Sequence, residues 1–115
     1  MQKDDLVRLR HMLDASREAV SFVTGRARSD LDTNRMLVLS LVKVIEIVGE
    51  AAGKVSLESR KQCVGIPWLD IIDMRNHLIH AYFDVDLNIV WDTVANDLPP
   101  LIKELEKIIV DERIS

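Results

Sequence analysis

The chain of 115 residues has one cysteine, four glycines, three prolines and five aromatic side chains. Each shortage excludes something. A lone Cys63 makes neither an internal disulfide nor a cysteine zinc cluster, and its ordinary place is that of a small buried hydrophobe. With few glycines and prolines and little alternation of β-branched residues, helix is the default and an all-α fold is expected. With so few rings, no base-stacking platform for single-stranded nucleic acid stands out, and Trp68 and Trp91 are expected to anchor the core. No phosphate-cradling glycine loop, GxSxG turn or HExxH pair is present. Long uncharged apolar runs are missing too. The most apolar stretch, 36–48, is interrupted by Ser40, Lys43 and Glu46, which argues against a membrane span. The opening MQKDDLVRLRH does not have the form of a signal peptide, so a cytoplasmic, membrane-free protein is expected.

Positive charge is not in excess either. Fifteen Lys and Arg face nineteen Asp and Glu, a formal charge of −4, which excludes a generally basic nucleic-acid coat. The imbalance is local. Residues 1–83 carry 12 basic and 11 acidic side chains, and residues 84–115 carry 3 and 8, so an anionic ligand is expected to prefer the first part. The length allows one domain, 1–115, and 48% hydrophobic residues suffice for a core.

About five helices in an up-down bundle are expected. Leu6, Leu9, Leu13, Val20 and Val23 share one helical face, with Asp4 or Asp5 as cap and Gly25 as stop. Ser29 with Asp32 three positions on offers a cap for a second helix running to about Gly53. That helix is apolar nearly all round, which suggests contact with another subunit. Its one wet edge is expected along Ser40, Lys43, Glu46, Glu50 and Lys54, with Glu50 and Lys54 spaced as an ion pair. A short helix or turn over 56–64 precedes the break at Gly65, and Pro67 suits the first turn of a helix reaching His80. Asp86 caps a helix ending near Asp97, the Pro99–Pro100 pair bends or restarts the chain, and Leu101, Ile102, Leu105, Ile108 and Ile109 stripe a terminal helix.

The chemistry concentrates in 70–86, DIIDMRNHLIHAYFDVD, which gathers Asp73, Arg75, Asn76, His77, His80, Tyr82 and Asp84. At 100° per residue, Asn76 and His80 are neighbours about 40° apart, and Arg75 and His80 stand about 140° apart. The latter two converge if the helix loosens near His80, or if a second copy packs on the first about a two-fold axis. Arginine, histidine and an amide suit a phosphodiester. Arg gives phosphate oxygens a permanent planar charge, and His moves protons near neutral pH. In RNA the 2′-hydroxyl supplies the nucleophile, so no metal or cofactor is needed. Other readings of the same residues stay open. Asp73, His77 and His80 have the spacing to approach one metal ion. Arg75 can simply pair with a carboxylate, His80 can be a satisfied helix-end histidine, and Tyr82 can pack its ring there.

Arg75-Asn-His-Leu-Ile-His80-Ala-Tyr82 has the form R-x4-H-x-Y and resembles the signature of HepT-like proteins of the HEPN superfamily. Gly49-Glu-Ala-Ala52, Ile66-Pro-Trp68, Val85-Asp-Leu87, Val90-Trp91 and Asp97-Leu-Pro99 with Leu101 resemble its flanks, so the likeness covers most of the chain. It implies a HEPN-like helical bundle that dimerises around the motif. It also implies a metal-independent ribonuclease toxin of a toxin–antitoxin pair. By position, Arg75 holds phosphate and stabilises the transition state, His80 is the acid/base group, and Asn76 supports them. The implied partners are an RNA substrate, a second copy and an MntA-type nucleotidyltransferase antitoxin that attaches AMP to Tyr82. The family gives His77 no role. A helical binding module with weak catalysis, docking a nucleotidyltransferase or holding a nucleotide, is the alternative, and a purely structural dimer the third reading.

Overall fold

The structure is a computed structural model. It describes residues 1–80 and 85–114, with the side chains of Arg75, Leu78, Ile79, His80, Arg113 and Ile114 outside the description. Among the described residues the chain is helical throughout, without strands. The elements are α1 (Lys3–Val23), a 3-10 turn (Arg28–Asp32), α2 (Arg35–Lys54), α3 (Leu57–Gln62), α4 (Trp68–His80), α5 (Leu87–Asp92), a π-helical turn (Thr93–Asp97) and α6 (Leu98–Ile114).

The all-α up-down bundle expected from the sequence is what forms. α1 packs on α2 and on α6, and α2 packs on α4. Two contacts give directions. Asp5 at the start of α1 bonds Ser56 just beyond α2, and the N-terminal ammonium lies 3.4 Å from Glu112 near the end of α6. Both neighbours therefore run antiparallel to α1. Leu9, Met12, Leu41, Val90, Val94 and Leu105 form the fully buried centre.

The caps differ from expectation at two places. α1 starts after Gln2 without a side-chain cap; Asp4 and Asp5 fall inside its first turn, and Asp5 is turned inward. The Ser29 segment is only a 3-10 turn, in which Asp30 accepts the Ala27 N–H at 2.8 Å. The cap of α2 is Asn34, whose side-chain oxygen accepts the Leu37 N–H at 3.0 Å. At the other end of α2, Arg60 reaches back to donate to the Val55 and Gly53 carbonyls, both at 3.0 Å. A cation there covers orphan acceptors and opposes the negative end of the helix dipole. Gly25 does close α1, with φ of 77°.

α2 is covered over most of its circumference within the chain itself, by α1 and α4. Met36 and Leu39 remain open at its first turns. The expected wet edge holds for Lys43, Glu50 and Lys54, with Glu50 3.8 Å from Lys54. Glu46 departs from it: only 8% exposed, it lies 3.8 Å from the Lys43 ammonium.

Pro99–Pro100 does not restart the chain. Asp92, Thr93 and Leu98 are all right-handed helical, so α5 and α6 form one rod. Two prolines inside a helix would push their rings against carbonyls one turn back and supply no N–H to them. The preceding turn widens instead, and the Leu98 N–H donates to the Thr93 carbonyl five residues back. Counting that rod once gives the five expected helical units.

Candidate functional site

α4 carries the motif. Its start is fixed by Trp68, buried with its indole N–H donating to the Cys63 carbonyl at 3.1 Å. Ile71, Ile72 and Met74 pack on the core, and Thr93 Oγ1 lies 3.8 Å from the Met74 sulfur. Leu69, Asp70, Asp73, Asn76 and His77 are exposed and fall in one sector of the helix. On the far side of the motif, Asp86 accepts the Asn88 and Ile89 N–H groups at 2.9 and 3.2 Å, capping α5 as its sequence position predicts. Arg28 holds that helix start in place, donating to Asn88 Oδ1 at 2.6 Å and to Asp32 at 3.0 Å.

Four sequence candidates fall differently within this frame. Asn76 is described and exposed. Arg75 and His80 are described in their backbone alone, the first inside α4 and the second its last residue. Tyr82 lies outside the described residues, as does Asp84. One geometric alternative is resolved. α4 is α-helical through His80, so a loosening that would swing positions 75 and 80 together is absent. At helical pitch those two positions stay about 140° apart, position 80 in the sector of Asp73, Asn76 and His77 and position 75 away from it.

Asp73 and His77, the metal alternative's companions of His80, both face solvent. Among the described residues no three His, Cys, Asp or Glu side chains stand close enough to share a metal ion. No described helix is long and apolar enough to cross a membrane.

Sequence patterning missed a polar cluster at the other end of the bundle. Buried Asp5 accepts the Ser56 N–H at 2.9 Å and the Ser56 and Ser59 hydroxyls at 2.6 Å each. The Ser56 and Ser59 hydroxyls, with the Ser56 amide, hold its carboxyl below the usual carboxylate range, against the opposing effect of burial. Its signal was in the sequence: Asp5, Leu9, Met12 and Ser16 share one helical stripe, and all four are buried. Cys63 is buried as expected. Burial first, then the negative charges of Glu112, Glu104 and Asp5, push its thiol up from the ordinary value.

Comparison with known proteins bears on the motif-bearing helix and its surroundings together. The family pattern described as ribonuclease HepT-like matches residues 12–108. A candidate RNase of Caldanaerobacter subterraneus subsp. tengcongensis is 32% identical over 105 residues, covering 91% of this chain and 94% of its own length. A Methanocaldococcus jannaschii protein named for a gamma-glutamylcyclotransferase and a candidate RNase is 34% identical over 108 residues. That match takes in 94% of this chain but spans about half of the relative, 49%. A Thermococcus cleftensis protein named as a candidate ribonuclease HepT is 38% identical over 69 residues, 60% of this chain and 63% of its own. Among solved structures none matches.

Proposed function

The chain belongs to the HepT-like ribonuclease family, and on that premise we propose that it is a toxin that cuts RNA without a metal ion, in a cleft shared by two copies. The observation that carries this reading is the R-x4-H-x-Y motif at the end of an unbroken α4. Positions 75 and 80 of one copy diverge, so a two-fold pairing of α4 ends is the simplest way for Arg75 of one copy to meet His80 of the other.

The chemistry follows from the residue types. Arg75 binds non-bridging phosphate oxygens and offsets the charge that gathers there as the 2′-oxygen attacks phosphorus. His80 takes the 2′-hydroxyl proton, and a protonated imidazole returns one to the departing 5′-oxygen. The O2′–P bond forms as the P–O5′ bond breaks, leaving a 2′,3′-cyclic phosphate and a free 5′-hydroxyl. Asn76, exposed one turn before His80, supports the bound phosphate with its amide. Regulation falls to Tyr82, two positions beyond His80. AMP attached there by an MntA-type nucleotidyltransferase antitoxin adds bulk and negative charge beside the histidine and repels RNA.

Cleavage of a defined RNA in EDTA tests the whole reading. Unmodified protein is expected to cut it and leave cyclic phosphate ends, and His80→Ala and the Tyr82-AMP form are expected not to. Cleavage that survives in His80→Ala, or that stops when EDTA is added, contradicts it. A dimer that cuts none of several RNAs, with Tyr82 unmodified by mass, returns the motif to the role of a docking surface.

A further inference from the structure

A concave surface lies between α2, α4 and the α5–α6 rod, a groove of about 470 Å³. Its floor is apolar, built from Ile45, Val48, Ile71, Met74, Leu98 and Leu101. Its rim is acidic. Asp70 and Asp97 line it and are exposed, and Glu104 stands at its edge, where a Cβ on Gly65 would meet the Glu104 carboxyl. No Lys, Arg or His is among the described lining residues.

An apolar floor under carboxylates repels a nucleic-acid backbone. Charge complementarity selects a cation-bearing partner. We propose that this groove docks an amphipathic helical segment of a partner protein, its apolar side chains on the floor and its Lys or Arg side chains on Asp70 and Asp97. Grooves of this kind take helices through apolar anchors spaced by three and four residues. The floor includes Met74, so the docked segment lies one residue in sequence from Arg75. The docking claim does not depend on RNA cleavage, and its test measures binding alone.

The probe is a fluorescein-labelled helical peptide with leucines on one face flanked by lysines, titrated into the full chain and followed by anisotropy. Its twin carries glutamate at every lysine, and a third peptide carries glutamine. Binding to the lysine peptide is expected, at least tenfold weaker for both the others, and at least tenfold weaker in Asp70→Lys/Asp97→Lys with helical circular dichroism unchanged. Asp97→Asn is expected to fall between. Asp14→Lys/Glu18→Lys makes the same charge change on the exposed face of α1 and is expected to leave binding as it was. No binding, equal binding of the twins, or an equal loss in the α1 variant overturns the proposal. Self-association that Asp97→Lys abolishes overturns it in favour of a second copy in the groove.

Discussion

The Ser59 hydroxyl donates to the Asp5 carboxylate at 2.6 Å across 54 positions of sequence, and so ties α3 to the first turn of α1. Ser56 completes the knot. Its hydroxyl donates to the same carboxylate oxygen and accepts the Ser59 N–H at 3.2 Å, so the group that caps α3 is itself oriented by Asp5. Hydrogen bonds to a buried charged acceptor are worth about 1.5–3 kcal/mol each.

Asp5→Ala is therefore expected to cost about 2–4 kcal/mol by removing the shared acceptor and leaving buried hydroxyls unpaired. The sign of the pH dependence follows from the lowered carboxyl pKa. The folded state holds the charged form more tightly, so the stabilisation is full above the unfolded value of about 3.9 and is lost as pH falls through the lower folded value. Urea midpoints from pH 7 down to pH 2 are expected to converge for wild type and Asp5→Asn at the acid end. A gap that stays constant with pH contradicts the assignment.

Ser16 is fully buried, and its hydroxyl has no hydrogen-bond partner among the described residues. Replacing it by alanine removes that unpaired group and improves helix propensity. Ser16→Ala is expected to stabilise by about 1 kcal/mol, a rise of several degrees in thermal midpoint for a chain of this size. A fall in the midpoint would mean that the hydroxyl is paired in solution.

Cys63 combines burial with a thiol pKa pushed up by desolvation and neighbouring carboxylates. Thiolate is the reacting species, so both effects slow modification. At pH 8 a disulfide reagent such as DTNB is expected to label native protein at least tenfold more slowly than protein in 6 M guanidinium. Equal rates would place the thiol at the surface.

The helices were legible because their apolar spacing repeats over several turns, as in Leu9 and Leu13 of α1 or Leu101, Leu105 and Ile109 of α6. Asp86 was legible as punctuation because it acts on residues two and three positions away, and Gly25 because its own φ of 77° suits glycine. What escaped depends on tertiary partners. Asp5 reads locally as a helix cap and becomes an acceptor only when Ser56 and Ser59 arrive. Glu46 sits on a polar stripe and is buried once α2 is packed. Pro99–Pro100 reads as a break, yet a widened turn at Thr93–Asp97 lets the rod continue. At the candidate site, spacing gave the divergence of positions 75 and 80, and the unbroken helix then removed one of its two remedies.

Subunit mixing tests the shared cleft most directly. Purified Arg75→Ala and His80→Ala dimers are each expected to leave a defined RNA intact in EDTA. Unfolded together and refolded at equal concentration, they form mixed dimers in which one of two composite sites keeps both residues. Random pairing gives about one quarter of wild-type cleavage. Recovery near that level is the predicted result. A mixture as inactive as its parents, from a wild type that is active after the same refolding, would contradict a site built from Arg75 of one copy and His80 of the other.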